Sequence, residues 1–277
     1  MSDVRIISAS QVNAFRLCPL QWWFRHIAKE PELRRAAPLV VGSVVDQCIK
    51  AAIFDVRDGL VVDAGGLFER AWKGEVEGSK APIAWGEKGE EAAKATTRDL
   101  VGAFLGRPAF KPWVDSVDSV DVRIDLPVVD PRTGQELSHL RLVGVIDIVE
   151  RDEHGLVHPM EIKTGANRSL LSELEGHTQL ALYSDSLRRM REGVSDEVSV
   201  ELGVKTKVVA WERRVVAMSE SARRRAVLTT MAVARAMDLG SVFPVSSWAC
   251  GGCPHREACD RWQDDAITLR SFDPFAA

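Results

Sequence analysis

Leu140–Lys163 reads LRLVGVIDIVERDEHGLVHPMEIK, and this stretch decides the fold class. Leu140–Glu150 is an apolar run of strand length, Asp152–Gly155 holds turn residues, and Leu156–Lys163 returns as a second strand. Asp147 interrupts the first run, where an ionised carboxylate is costly unless a partner or a metal neutralises it. Glu161 and Lys163 stand two apart on the second strand, so both leave the same face.

Working outward, Val117–Val129 alternates well enough for an earlier strand, and Pro131-Arg132-Thr133-Gly134 closes it with a turn. Downstream, the pattern predicts a helix from about Ser169 to Arg191, strands near Val198–Val209 and Arg213–Ala217, and a long helix from Ser219 to about Leu239. Upstream, Ser8 or Ser10 can cap a helix beginning near Gln11, which Pro19 kinks or restarts. Further helices are expected at about Gly42–Asp58 and Glu87–Leu105. Residues 59–86, rich in Gly and Ala, read as helix fragments and loops, and the tail from Phe243 reads as loop. The expectation is an α/β fold of mixed α+β character, with a central mixed β-sheet flanked by helices. One domain is expected over 1–277: a helical part at about 8–110, a core at about 115–218, and a helix with a cysteine tail at about 219–277.

Hydrophobic residues make up 45% and charged residues 27% of the 277 positions, with a net charge of −4. That is the ordinary balance of a soluble globular chain. The net charge gives no bulk attraction to nucleic acid, so any such binding must use local basic patches. No apolar run approaches the ~18 residues of a membrane span, and the opening Met-Ser-Asp-Val-Arg does not read as a signal peptide. A cytoplasmic, reducing location without membrane attachment is expected, in which the five cysteines are not disulfides.

Four of those cysteines form a pattern. Cys18 stands alone near the start, and Cys250, Cys253 and Cys259 follow much later as C-x2-C-x5-C. Four thiolates suffice for a tetrahedral zinc or for one iron–sulfur cluster. Zinc motifs come as two local pairs, which a lone cysteine and a distant trio fit poorly; a cluster that staples the two ends together fits better. Zinc, a 4Fe-4S cluster and no metal all remain open. Cys48, on an apolar helix, reads as a small buried hydrophobe.

Asp147 and Glu161 on adjacent strands make a hard oxygen site suited to magnesium or manganese, which would activate water and screen phosphate charge. A lysine beside them can orient water and stabilise transition-state charge. Alone, Glu161 and Lys163 are an ordinary same-face pair. Gln179 and Tyr183, one helical turn apart, share a face; alone they are a polar helix flank.

Gly144-Val-Ile-Asp147, Glu161-Ile-Lys163-Thr-Gly165 and Gln179-Leu-Ala-Leu-Tyr183, taken in order, resemble the successive motifs of the PD-(D/E)XK nuclease superfamily. The RecB-type exonuclease branch is the most similar. Its iron–sulfur members, which include CRISPR-associated RecB-like exonucleases and AddB-type nuclease domains, share the Ser8–Pro19 opening and the terminal cysteine trio. The resemblance implies a restriction-endonuclease-like core and a 4Fe-4S cluster on Cys18, Cys250, Cys253 and Cys259. It also implies metal ligation by Asp147, Glu161 and the Ile162 carbonyl, with Lys163 as catalytic lysine. Gln179 and Tyr183 would position DNA or support the catalytic face. The chain departs from the family at Gly42-Ser-Val-Val-Asp46, where the histidine usual four residues after the glycine is aspartate. Asp46 can still ligate the metal, with more negative charge. Asp121 falls roughly where the family often has a supporting acid.

The implied activity is a divalent-metal-dependent DNA exonuclease acting on single strands or ends in recombination, repair or CRISPR spacer processing. No Gly-x4-Gly-Lys-[Ser/Thr] loop is present, so a helicase, annealing protein or integration complex would be a separate partner. The alternative is a catalytically inactive DNA-end-binding or scaffold subunit that retains the fold. Basic clusters at Arg16–Arg35, Arg188–Arg191 and Arg223–Arg225 are candidate phosphate contacts, and Phe15, Trp22, Trp23 and Trp248 are candidate base-stacking rings.

Overall fold

The computed structural model describes residues 4–166, 174–205 and 208–264. In chain order the elements are β1 (Arg5–Ser8), α1 (Ala9–Leu17), α2 (Pro19–Trp23), β2 (Arg35–Ala36), α3 (Ala37–Arg57), α4 (Ala64–Glu77), β3 (Ile83–Ala84), α5 (Gly89–Leu105) and α6 (Phe110–Ser116). There follow β4 (Val117–Val129), β5 (Glu136–Arg151), β6 (Val157–Gly165), α7 (Thr178–Met190), β7 (Glu197–Val204), β8 (Ala210–Ala217), α8 (Glu220–Asp238) and α9 (Arg256–Asp264). The chain divides into two compact units, one of Met1–Leu33, Arg123–Gly144 and Glu220–Ala277, the other of Arg34–Val122 and Val145–Ser219. It passes between them after Leu33, inside the long strands β4 and β5, and after Ser219.

The second unit carries most of the mixed sheet. The end of β5 pairs antiparallel with β6 (Ile148 opposite Met160), β6 runs parallel to β7 (Glu161 beside Val200), and β7 pairs antiparallel with β8. α3 buries Val40, Val41, Val44, Val45, Cys48, Ile49, Ala52 and Ile53, one apolar stripe at helical spacing. With Phe68, Trp72, Leu100 and Phe104 from α4 and α5, that stripe covers Ile148, Met160 and Ile162 of the sheet. Each such buried aliphatic or aromatic side chain contributes roughly 1.5–3 kcal/mol. Gly203 packs closely here: a Cβ on it would lie 3.0 Å from the Trp211 ring and 3.2 Å from Leu100, so those side chains would have to give by a few tenths of an ångström. On the same face Glu150, 1% exposed, receives hydrogen bonds from Ser199 (2.7 Å), Arg213 (2.6 Å) and Trp113, which knits β5, β7, β8 and α6 together.

In the other unit, β1 lies parallel to Leu140–Val143 of β5, and α1 packs on β1 and α8. Ser8 caps α1 by accepting from the Gln11 N–H at 3.2 Å. Cys18 ends that helix, its sulfur accepts from the Gln21 N–H at 3.5 Å, and Pro19 opens α2. The chain therefore restarts at Pro19. Leu20, Phe24 and Ala258 form a small apolar cluster with Trp23, Val242 and Trp262.

Several expectations need correction. Residues 59–86 contain a fourteen-residue helix, α4, capped by Asp63. The tail from Phe243 holds a 3-10 turn at Trp248–Gly252 and then α9. The helix expected from Ser169 begins at Thr178 after a 3-10 turn at Leu174–Gly176, and 167–173 lie outside the described residues. The strand expected to reach Val209 ends at Val204, with 206–207 likewise outside. Among the described residues no helix is long and apolar enough to cross a membrane.

Candidate active site and cysteine pocket

The candidate active site lies within the second unit. Asp147 comes one step before Ile148 and Glu161 one step after its antiparallel partner Met160, so both point away from the apolar cluster. Ile162 between Glu161 and Lys163 sends its side chain into that cluster and meets the site only through its backbone. Glu161 is 4% exposed. Its Oε1 accepts from Lys163 Nζ at 2.5 Å and from Gln179 Nε2 at 2.8 Å. Gln179 Nε2 also lies 3.1 Å from the Tyr183 hydroxyl. The helical turn separating Gln179 from Tyr183 thus builds a chain of contacts, Tyr183 to Gln179 to Glu161, that fixes the carboxylate.

A second group meets the first through Asp147. Asp46 and Lys50, one turn apart on α3, form an ion pair at 2.9 Å. Lys50 Nζ is also 2.7 Å from Asp121 and 3.2 Å from Asp147. The structure therefore gathers Asp46, Asp147, Glu161, Lys163, Gln179 and Tyr183 in one unit and adds Lys50. Lys50 was missed in the sequence because Asp46 was read without its i+4 neighbour, the ordinary signal for a helical ion pair. Gly165 stays in β6 beside Val204, without a positive φ.

The electrostatics are those of crowded acid. Burial, followed by the Asp147 charge, pushes the Asp46 carboxyl up to about 6 against the pull of Lys50. Burial pushes Glu161 up to about 7; Lys163 opposes this and Asp147 adds to it. Lys50 is held above its ordinary value despite its burial, by Asp147, Asp121 and Asp46. Burial, then Glu161, raises the Tyr183 hydroxyl, which stays protonated. Glu161 Oε2 and Asp46 Oδ1 are buried with no hydrogen-bond partner among the described residues. Two orphaned carboxylate oxygens in a pocket of mutually repelling acids fit a divalent cation. Among the described residues no three or more His, Cys, Asp or Glu side chains already form an ion cage; at the acids' meeting point stands Lys50.

The four patterned cysteines lie within the other unit. Cys18, Cys250, Cys253 and Cys259 all line one cavity of about 340 Å³ with Leu20, Phe24 and His255. None of the five cysteines forms a disulfide. Burial raises the Cys253 thiol, and the neighbouring Cys18 and Cys250 raise it further. Cys48 is 1% exposed inside the α3 core, as a small hydrophobe would be. His255 is 1% exposed, with neither ring nitrogen hydrogen-bonded among the described residues. It sits in the sequence between two of the cysteines, which is the signal that was passed over.

The basic and aromatic candidates divide. Arg25 pairs with Glu32, Arg35 with Glu75, Arg188 with Asp196 and Arg191 with Asp118. Phe15 and Trp22 are buried and meet edge to face at 5.3 Å, so they are core and not stacking rings. Trp248 is 89% exposed.

The profile of the PD-(D/E)XK nuclease superfamily matches residues 6–260. Among solved structures, a Eubacterium rectale protein named "Putative exonuclease" superposes with a TM-score of 0.54 at 14% identity, covering 90% of this chain and 87% of that one. The structure of SSO0001 gives a TM-score of 0.36 at 12% identity, covering 90% and 94%, a level that carries no argument. No curated protein matches the chain significantly.

Proposed function

The chain belongs to the PD-(D/E)XK nuclease superfamily, and from that premise we propose that it is a divalent-metal-dependent DNA exonuclease of the RecB type. In this reading it is cytoplasmic, carries a structural 4Fe-4S cluster, and acts on single strands or DNA ends in recombination, repair or CRISPR spacer processing, with any helicase, annealing or integration activity supplied by a partner. The observation that carries it is the pair of buried, partnerless oxygens on Glu161 and Asp46 in the pocket with Asp147 and Lys163.

When bound, magnesium or manganese supplies Lewis acidity toward water and the scissile phosphate. Asp147, Glu161 and Asp46 would hold the ion, with the Ile162 carbonyl as a further ligand. Lys163 Nζ, held against Glu161, would orient the attacking water and neutralise charge that develops on the phosphate. Gln179, fixed by Tyr183, keeps Glu161 in one orientation while that happens. Each role is electrostatic or positional, which suits phosphodiester hydrolysis.

The cysteine spacing supports the cluster over zinc: zinc motifs come as two local pairs, whereas here the lone Cys18 and a distant trio line one cavity. Cys18, Cys250, Cys253 and Cys259 would be the ligands, and the cluster would tie α2 to the C-terminal segment.

One observation favours the non-cleaving end-binding reading: Asp46 replaces the usual histidine and is paired with Lys50. Incubating single- and double-stranded DNA with anaerobically purified protein, its Asp147→Asn variant and either metal separates the two. Wild-type cleavage lost in the variant supports the nuclease; binding without cleavage by well-folded protein supports the scaffold.

A further inference from the structure

We infer that Lys50 is a built-in cation that competes with the divalent ion for the carboxylate pocket and so sets its metal affinity; this deepens the metal-dependent reading above. An ammonium has three N–H donors. Lys50 Nζ faces three carboxylates, Asp121 at 2.7 Å, Asp46 at 2.9 Å and Asp147 at 3.2 Å, from three different elements. Its side chain is only 13% exposed. Asp46 and Asp147 are largely buried with it, while Asp121, 59% exposed, closes the group on the solvent side.

Asp121 strengthens the point. It has φ 54 within β4, a left-handed conformation uncommon outside glycine and best tolerated by Asp and Asn. A residue kept in such a sparsely populated region needs surroundings that hold it there, and here its carboxylate is directed to Lys50. Lys50 also accounts for the chain's departure at Asp46. Aspartate in place of histidine adds a negative charge to a pocket that already holds Asp147 and Glu161, and a lysine one turn along the same helix face supplies the compensating charge.

The two lysines then differ in function. Lys163 is bound to Glu161 and Gln179, on the side proposed for catalysis. Lys50 is bound to the acids that a metal would take, Asp147 being common to both groups. A divalent ion entering between Asp147 and Glu161 must tolerate a fixed positive charge nearby or displace it from Asp147. In either case the lysine weakens binding, while in metal-free protein it relieves the repulsion among the acids.

The test is calorimetric manganese binding and thermal unfolding of full-length wild type, Lys50→Met, Lys50→Arg and Glu161→Gln. The expected result is manganese binding by wild type that Glu161→Gln abolishes, and binding at least tenfold tighter by Lys50→Met. Lys50→Arg should stay within about threefold of wild type. Lys50→Met should also melt lower than wild type without metal and show the larger upward shift with manganese. If Lys50→Met does not fold, Lys50→Gln, which keeps a donor but no charge, takes its place. Glu161-dependent binding that is unchanged or weakened by loss of the Lys50 charge overturns this inference and leaves the metal-dependent reading standing. Absence of Glu161-dependent binding in wild type overturns both.

Discussion

Replacing Glu161 with glutamine removes one charge from the pocket at almost constant shape, and the structure gives the sign of the effect. Glu161 is 4% exposed. Burial pushes its carboxyl from 4.5 up to about 7, with Lys163 opposing and Asp147 reinforcing. Between those values the folded protein keeps a proton that the unfolded chain has released, so stability falls as pH rises through that window. At ~1.4 kcal/mol per pH unit, the ionised carboxylate costs the metal-free fold on the order of 3 kcal/mol above pH 7. Glutamine retains an oxygen for Lys163 and Gln179 but gives up the charge-assisted part of that contact. The net gain expected from Glu161→Gln is therefore about 1–2 kcal/mol at pH 8. Denaturant unfolding in a chelator, at pH 8 and at pH 5, measures it. The variant should be the more stable at pH 8 and equal to wild type at pH 5, where the wild-type carboxyl holds its proton in the fold. Manganese should stabilise wild type and leave the variant unmoved, since only ligand binding to the folded state shifts the equilibrium. A variant destabilised equally at both pH values would refute the reasoning, because Glu161 would then be a satisfied structural carboxylate.

Two further outcomes follow from the other unit. Cys18→Ser and Cys259→Ser should each abolish the bound iron and visible absorbance of anaerobically purified protein and lower its melting temperature, while Cys48→Ser keeps the iron; elemental analysis and absorption spectra read this directly. Trp248→Ala should weaken single-stranded DNA binding by about 1–3 kcal/mol, the usual worth of one stacked base, with iron content unchanged; fluorescence anisotropy with a labelled oligonucleotide measures it.

The legible parts of the fold were those where one local rule dominated. β5 and β6 stood out because an apolar run, a four-residue turn closed by Gly155 at φ 81, and a second run follow one another. The restart at Pro19 followed from a missing N–H. α4 was obscured by Gly65, Gly66 and Gly74, which lower helix propensity, although Leu67, Phe68 and Trp72 carry the apolar face that holds it. α9 is short and charged, and its place depends on Ala258 packing with Leu20 and Phe24, a contact between distant positions in the chain. The site was legible as residue types at motif spacing, Asp147, Glu161, Lys163, Gln179 and Tyr183. What spacing did not convey was which charges meet across elements. Lys50 joins Asp121 and Asp147 only because α3, β4 and β5 converge, and Trp22 differs from Trp248 only by burial.

The measurement nearest the central claim is manganese-dependent degradation of strands labelled at the 5′ or the 3′ end by anaerobically purified wild type and Lys163→Ala. The account predicts stepwise shortening from an end by the wild type, abolished by chelator and reduced at least a hundredfold in the variant, the scale on which removal of one charge-stabilising donor acts. Intact substrate with folded, cluster-loaded wild type in both manganese and magnesium, or equal cleavage by Lys163→Ala, would contradict it.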